Sequence, residues 1–188
     1  MKPSNPDFEL RGVHHLALVC RDMARTVDFY TNVLGMPLVK TIELPADMGQ
    51  HFFFDIGNGD MLAFFWYPEA PEPAPGVSAP ASFPIIGDPR SAIGSMNHVA
   101  FTVPPEKFDE YVAKLHDKGV ETSEVANHDD SKWQISRRNH EGVFLRSVYF
   151  FDPDGALLEL ACWTREFNED DVNVAPARER TVSASAER

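Results

Sequence analysis

The sequence predicts an α+β fold made of two copies of one βαβββ module, and three observations support this prediction. A stretch that begins at Gly12 is matched by a second stretch that begins at Met96. Both stretches have the β-branched and aromatic content of a strand, and each leads into a helical pattern. Each helical pattern is then followed by a strand, a tight turn and another strand, so that the two halves have the same order of elements.

The two helices are predicted over about 23–34 and 105–118. Both end near a glycine, Gly35 and Gly119, which a left-handed C-terminal cap favours. Asp22 is a suitable N-cap for the first helix, and proline is tolerated in the first turn of the second.

The paired strands of each half are joined by short turn signals. Residues 52–66 contain Asn58-Gly59, and residues 149–160 contain Asp154-Gly155. Asn-Gly and Asp-Gly are strong hairpin signals because these residues tolerate positive φ. We therefore expect one hairpin at each place.

These elements divide the chain into five segments. The region between the halves is rich in Pro, Ala, Gly and Ser and has no clear period, which indicates a linker or an ordered surface loop. The last segment is expected to pack partly on the body and then to fray. The segments are an N-terminal extension (1–10), a first module (11–67), a connecting loop (68–95), a second module (96–165) and a tail (166–188).

Composition excludes several classes of function. Of the 188 residues, 43% are hydrophobic, which suffices for a folded core, and the net charge of −12 disfavours nucleic acid as a partner. No apolar run approaches the roughly 20 residues of a membrane span, and the first residues lack a secretory signal, so a cytoplasmic location is expected. Cys20 and Cys162 lie in apolar stretches and are expected to be buried thiols, with a disulfide or a thiolate ligand as the alternative.

Two histidines occupy equivalent positions in the repeat. Because strand side chains alternate between faces, His15 shares a face with Ala17, while Leu16 and Leu18 face the helix. In the second copy, the corresponding position is His98, and alanine again follows two residues later. Small neighbours leave room for a ligand beside each histidine, although two core histidines could give the same pattern.

Glu159 is the third notable residue, because a carboxylate in a run of leucines needs a partner. A sheet edge or a dimer interface could solvate it, but two imidazoles on matching strands make a metal the better partner. Two histidines and one carboxylate form a facial set with open positions, suited to Fe(II), Mn(II), Ni(II), Co(II) or Zn(II). Of the other histidines, His14 is expected to be structural or partly exposed. His116, on the second helix, and His128, in a polar loop, are expected to be solvated, and the role of His51 is ambiguous.

These residues give the chain a resemblance to the vicinal oxygen chelate superfamily, which comprises glyoxalase, bleomycin resistance and extradiol dioxygenase proteins. The resemblance covers about residues 11–163. In the first half it is carried by His15, Asp22, Phe29-Tyr30 and Leu34-Gly35, and in the second by His98 and the run from Asp152-Pro153-Asp154-Gly155 to Glu159.

The resemblance implies that the two modules join edge to edge in one curved mixed sheet around a single metal held by His15, His98 and Glu159. Members with four protein ligands take another Glu or Gln from the first module. Setting Gly59 against Gly155 places Ala63 at that position, and alanine cannot bind a metal. The remaining His-His-Glu set is similar to that of type I extradiol ring-cleaving dioxygenases, which implies Fe(II).

Two further positions agree with the dioxygenases. His140 and Tyr149 lie nineteen and ten residues before Glu159, where the family has a histidine and a tyrosine, although a loop histidine and a core tyrosine would also fit. The family's acid/base histidine is replaced by Asp60, which could accept a proton or contact substrate. Aromatic residues are candidates for a substrate wall, with the core as the alternative: Phe64, Phe65, Trp66, Trp133 and Phe144.

The implied function is Fe(II)-dependent cleavage of a catechol-type aromatic diol by dioxygen, with His140 and Tyr149 assisting the reaction. The partners are then a small aromatic substrate and dioxygen, and edge pairing of such modules favours a homodimer or a higher oligomer. Two other classes stay open. One is a metal-dependent isomerase, lyase or thiol transferase, and the other is a metal-free binding protein that sequesters a drug.

Overall fold

The computed structural model describes residues 7–178, and it confirms two modules with the same order of elements. The predicted fraying at the end of the tail falls on residues outside this range, as does most of the N-terminal extension. No helix in the described part of the chain is long and apolar enough to cross a membrane. The strands of the first module are β1 (His15–Cys20), β2 (Leu38–Glu43), β3 (Gln50–Gly57) and β4 (Asp60–Trp66), and those of the second are β5 (Val99–Thr102), β6 (Ala126–Asp129), β7 (Val143–Phe151) and β8 (Leu157–Trp163).

Each module has one helix, and both follow their capping signals. Helix α1 (Met23–Asp28) begins after Asp22, whose side chain accepts a hydrogen bond from the Arg25 N–H, and it continues as a π-helical turn over Phe29–Val33. Helix α2 (Phe108–Asp117) is preceded by a 3-10 turn over Pro105–Lys107. Both chain segments then turn at glycines with positive φ, as expected, at Gly35 and Gly119.

The strands form two mixed sheets of four, ordered β1-β4-β3-β2 and β5-β8-β7-β6. β1 runs parallel to β4 in the first sheet, and β5 runs parallel to β8 in the second. The other neighbouring strands in both sheets are antiparallel. The β3–β4 hairpin turns at Asn58-Gly59 with positive φ at both residues, as the sequence predicted. Within residues 7–178 no strand ladder joins the two sheets, so β1 and β5 each have one unpaired edge.

One face of each sheet packs into a shared core, and the opposite (open) face of the second sheet is partly covered, because Phe83 of the connecting loop packs there with Ala126, Tyr149 and Leu157. Leu16 and Leu18 on β1 and Val99 and Phe101 on β5 pack against this core. The alternate residues of both strands, including His15 and Ala17, are exposed. The predicted faces are therefore confirmed, and both predicted ligand histidines lie toward the open side.

The two modules are joined by contacts between residues 21–30, in and around α1, and the β7–β8 turn. The hydroxyl of the fully buried Tyr30 donates a hydrogen bond to Asp152 Oδ2 at 3.1 Å. The Arg21 N–H donates to Asp154 Oδ2 at 2.9 Å, and Arg25 forms an ion pair with the same carboxylate. Through these contacts, the Phe-Tyr and Asp-Pro-Asp-Gly motifs hold the two halves against each other.

Replacing Tyr30 by phenylalanine is expected to destabilise the protein by about 1–3 kcal/mol, because Asp152 is 7% exposed and would lose a hydrogen-bond donor. The free energy of unfolding in urea measures this effect. Tyr67→Phe is the control, since Tyr67 is partly exposed and the change should stay within about 0.5 kcal/mol. Equal unfolding free energies for the two variants would show that the Tyr30–Asp152 contact does not stabilise the fold.

Candidate metal centre

The best-formed part of the site lies on the open face of the second sheet. The Glu159 side chain is only 3% exposed, and its Oε2 lies 3.0 Å from His98 Nε2. Its other oxygen accepts a hydrogen bond from the Ser147 hydroxyl. His98 directly precedes β5, and Glu159 lies on β8 beside Ala100, so the parallel pairing of these strands brings the two side chains together.

The hydrogen bonds around His98 determine which ring nitrogen faces the carboxylate. His98 Nδ1 lies 2.8 Å from the side-chain oxygen of Asn97. The Asn97 amide nitrogen donates to Pro89 O and to Ser91 Oγ, which fixes that oxygen toward the ring. His98 therefore donates from Nδ1, and the lone pair of Nε2 faces a carboxylate at 3.0 Å. Such a contact is favourable only if a proton or a metal cation lies between the two groups.

Tyr149 completes this group. It is the neighbour of Glu159 in the β7–β8 ladder, and its ring meets that of His98 edge to face at 5.8 Å. Burial, followed by the nearby charge of Glu159, raises the pKa of Tyr149 to about 12. The phenol is therefore protonated at neutral pH and can donate a hydrogen bond.

His15 lies on the other sheet and is not in contact with this group. Its Nδ1 lies 2.8 Å from His14 Nδ1, and its ring contacts Phe53 at 5.8 Å. Within residues 7–178 no three His, Cys, Asp or Glu side chains are placed to hold a metal ion. The structure thus brings together two of the three predicted ligands, His98 and Glu159, and a metal held by all three stays a prediction.

The strand register supports the expected absence of a fourth ligand. Ala17 pairs with Ala63 in the first sheet, and Ala100 pairs with Glu159 in the second. Ala63 therefore occupies the position equivalent to Glu159, and it is fully buried. The first module can contribute His15 to a metal, but it has no carboxylate at the β4 position equivalent to Glu159.

The predicted substrate contacts are distributed unevenly. Phe64 is 1% exposed and packs in the core against Tyr30, because it lies on the face opposite to Ala63. The assignment of Phe64 to a substrate wall was therefore wrong. Trp133 is in a loop and is 80% exposed. Asp60 begins β4 beside Gly12. Phe144 is on β7, with its ring 6.4 Å from that of His128.

His140 lies in the loop before β7, where it contacts Asp129 and Gly142, and its pairing with Tyr149 stays a prediction. Its Nε2 contacts Asp129 Oδ2 at 3.1 Å, and its Nδ1 accepts a hydrogen bond from the Gly142 N–H at 3.1 Å. His128, which the sequence placed in a polar loop, is instead on β6, and the structure leaves its Nε2 buried without a partner. The sequence analysis missed the strand that carries His128 because the β6 sequence Ala-Asn-His-Asp has no apolar alternation.

The first sheet has its own aromatic surface. His51 stacks on Phe65 at 3.6 Å and contacts Phe53 at 4.2 Å, and Phe65 stacks in turn on Tyr67 at 5.4 Å. His51 Nε2 is buried and, like that of His128, has no partner among the described residues. Of the residues predicted for an aromatic wall, Phe65 therefore lies on the open face beside a polar group, the imidazole of His51.

A comparison with protein families identifies the chain. The model for the Glyoxalase/Bleomycin resistance protein/Dioxygenase superfamily matches residues 12–160, which span both modules. The chain belongs to this superfamily. The resemblance inferred from His15, His98 and Glu159 is confirmed at the level of the superfamily, as is the α+β fold of paired modules.

Relatives within the glyoxalase superfamily have different names. The uncharacterised protein YwkD of Bacillus subtilis is 25% identical over 80% of this chain and 96% of its own length. The putative ring-cleaving dioxygenase MhqE of B. subtilis is 29% identical over 62% of this chain, but the match spans only 35% of MhqE. The fosfomycin resistance protein FosX of Listeria monocytogenes is 24% identical over 84% of this chain and 93% of its own length.

A solved structure of FosX shows that this superfamily fold can hold a metal. A mutant of FosX in complex with Mn(II) and 1S,2S-dihydroxypropylphosphonic acid superimposes with a TM-score of 0.50. It is 22% identical and covers 80% of this chain and 91% of its own, so the likeness concerns the fold. Divalent metals are thus found in the superfamily, and the relatives include a putative ring-cleaving dioxygenase and fosfomycin resistance proteins.

Proposed function

We propose that this protein is a ring-cleaving dioxygenase that uses Fe(II) and dioxygen on a catechol-type aromatic diol. The observation that carries the proposal is the contact of His98 Nε2 with the buried Glu159 carboxylate, with Tyr149 beside them. A buried carboxylate that faces an imidazole lone pair is a suitable place for a divalent cation. Tyr149 then supplies a hydrogen-bond donor next to that place.

The residues around the pair fit a metal ligand set. Metal-binding histidines commonly donate their second ring nitrogen to a carbonyl or carboxylate oxygen, and Asn97 accepts from His98 in this way. Ser147 orients Glu159 by the same logic. Fe(II), when bound by two imidazoles and one carboxylate, would supply open positions for the two diol oxygens and for dioxygen.

We propose that His15 reaches the His98–Glu159 pair from a second copy of the chain in a homodimer. Three features support this arrangement: the exposed His15 at the start of β1, the unpaired edges of β1 and β5, and the absence of contact between His15 and the pair in one chain. The edge of β1 borders a cleft of about 730 Å³, which is also lined by the connecting loop and by the β7–β8 turn.

In this proposal the chain binds and orients the diol. Tyr149 donates a hydrogen bond to a substrate oxygen, because its raised pKa keeps the phenol protonated. Ala100 and Ala161, which flank Glu159 on the open face, leave space for the ring of the substrate. Stacking of the substrate ring on Phe65 and His51 of the facing sheet would favour an aromatic compound over an aliphatic one.

A second candidate function is opening of an epoxide such as that of fosfomycin, by a thiol or by water, with Mn(II). Two observations favour it: FosX matches nearly its full length, and His140 is not beside Tyr149. The same His98–Glu159 pair would hold the metal in either case. A glyoxalase-type isomerase and a metal-free binding protein lack a comparable specific observation.

One experiment separates these functions. The protein is reconstituted anaerobically with Fe(II), given 2,3-dihydroxybiphenyl or simpler catechols, and exposed to air. We expect a yellow product with matching oxygen uptake, and no product from Glu159→Gln. If catechols are unchanged while the Mn(II) protein consumes fosfomycin in the presence of a thiol or water, the dioxygenase proposal is wrong and the second candidate is right.

A further inference from the structure

The open face of the second sheet is closed at one end, beside Tyr149. Phe83 of the connecting loop is buried and packs in one cluster with Tyr149 and Leu157. Its ring stacks on that of Phe151 at 5.0 Å, with an angle of 17° between the two planes. Phe151 pairs with Leu157 two residues along the strands from the Tyr149–Glu159 pair, which is a distance of about 7 Å. Phe83 therefore forms an apolar wall next to the proposed metal ligand.

The part of the connecting loop that carries Phe83 is held in a fixed conformation. The Gly87 N–H donates a hydrogen bond to the Phe83 carbonyl oxygen at 3.1 Å. A Cβ atom at Gly87 would lie only 2.0 Å from Ser82 Oγ, so the loop packs too closely there for any other residue. The Asn97 side chain donates to Pro89 O at 2.8 Å. The wall and the residue that precedes the ligand histidine thus belong to one fixed segment.

The opposite end of the same face is open and aromatic. Because strand side chains alternate, the residues of β8 that follow Glu159 on this face are Ala161 and Trp163. Ala161 pairs with Ser147, so small side chains come directly after the carboxylate. Trp163 is about 13 Å along the strand from Glu159. Its exposed ring meets the exposed ring of Phe167 edge to face at 4.9 Å.

Arg165 holds this aromatic pair in place. Its guanidinium group forms an ion pair with Asp171 at 2.6 Å. It also lies over the rings of Phe144 and Phe167, at 5.7 and 5.6 Å from their centres. The Thr164 N–H donates to Phe144 O at 3.0 Å. Exposed rings that are already fixed lose little conformational freedom when an apolar group stacks on them, which makes them a good binding surface.

We propose that the diol bound at the metal centre carries an apolar substituent beside one hydroxyl group, and that this substituent lies over Ala161 and against Trp163 and Phe167. The two ring positions that flank a chelated diol point in opposite directions. With the ring aligned along β8, one position faces the aromatic pair and the other faces Phe83, which leaves no space for a second substituent. The inference rests on the proposed function, because it takes a diol as the substrate.

The binding of three diols to the Fe(II)-loaded protein, measured by calorimetry without oxygen, tests the proposal. They are catechol, 2,3-dihydroxybiphenyl with one flanking substituent, and 3,6-di-tert-butylcatechol with two. The wild type should bind 2,3-dihydroxybiphenyl about tenfold or more tightly than catechol, since a phenyl ring is buried. In Trp163→Ala this preference should fall by about threefold to tenfold, because an aromatic contact is lost. Trp133→Ala changes another exposed tryptophan and should keep the preference.

The wall is tested separately. Phe83→Ala should bind 3,6-di-tert-butylcatechol about tenfold or more tightly than the wild type, because overpacking against the ring is relieved. Phe83→Leu keeps most of the apolar packing and should give a smaller gain. Urea unfolding shows which of the two variants is folded, and no gain in a folded variant would overturn the role of Phe83.

The remaining outcomes distinguish this inference from the proposed function. Equal affinity of the wild type for catechol and 2,3-dihydroxybiphenyl would overturn the substituent site and leave the catechol function intact. Loss of the preference in Trp133→Ala rather than in Trp163→Ala would overturn the position of the substituent. A metal-loaded wild type that binds none of the three diols would contradict the proposed function itself.

Discussion

Glu159→Gln is expected to abolish tight metal binding while leaving the fold as stable as before. The amide keeps the size of the side chain but removes the charge that attracts the cation. Because loss of even an outer hydrogen-bond partner lowers metal affinity 10- to 100-fold, loss of a ligand should weaken binding by at least about 100-fold. In the metal-free protein the change removes a buried charge, so the unfolding free energy should fall by no more than about 1 kcal/mol.

The two effects are measured separately. Titration with Mn(II), followed by the EPR signal of the free ion, gives the affinity, and urea unfolding in excess chelator gives the stability. Asp129→Asn is the matched control, since Asp129 is also a buried carboxylate on the same sheet and is paired with a histidine, His140. It should leave Mn(II) affinity unchanged. Equal loss of affinity in both variants would mean that Glu159 has no specific role as a ligand.

Mixing two inactive variants is expected to restore metal sites if His15 acts across a homodimer. A subunit with His15→Ala still has Glu159, and a subunit with Glu159→Gln still has His15. In a mixed dimer one of the two sites is then intact. Random association of equal amounts makes half of the dimers mixed, so about one quarter of the wild-type sites should return.

The control for this experiment mixes His98→Ala with Glu159→Gln. Both residues lie on the same sheet of one chain and form one contact, so no combination of these subunits makes an intact site. The measurement is the amount of tightly bound Mn(II) per dimer after unfolding and refolding of the mixture together. Recovery in neither mixture, with wild-type protein recovering fully, would contradict a ligand shared between subunits.

Local patterns predicted the fold well because they are set by neighbouring residues. Alternation along β1 gave the correct face for His15, and the Asn58-Gly59 turn has the expected backbone. The same alternation applied to β4 would have placed Phe64 opposite to Ala63 and so in the core, where it lies. Register also justified reading Ala63 as the counterpart of Glu159.

The site was less predictable because it depends on contacts between distant segments. Counting back from Glu159 selected His140, but a count of residues does not determine where a loop turns, and Asp129 holds this histidine elsewhere. His128 became visible only through the pairing of β6 with β7. The repeat made His15 equivalent to His98, but how two modules meet is a property of tertiary and quaternary packing.

The central claim is that His15, His98 and Glu159 bind one divalent metal, and pulsed EPR of the Mn(II)-loaded protein tests it most directly. Electron spin echo modulation should show nitrogen from two imidazoles in the wild type. It should show nitrogen from one imidazole in His15→Ala and in His98→Ala at saturating metal. A Mn(II) signal without histidine nitrogen, or one unchanged in both variants, would contradict the claim.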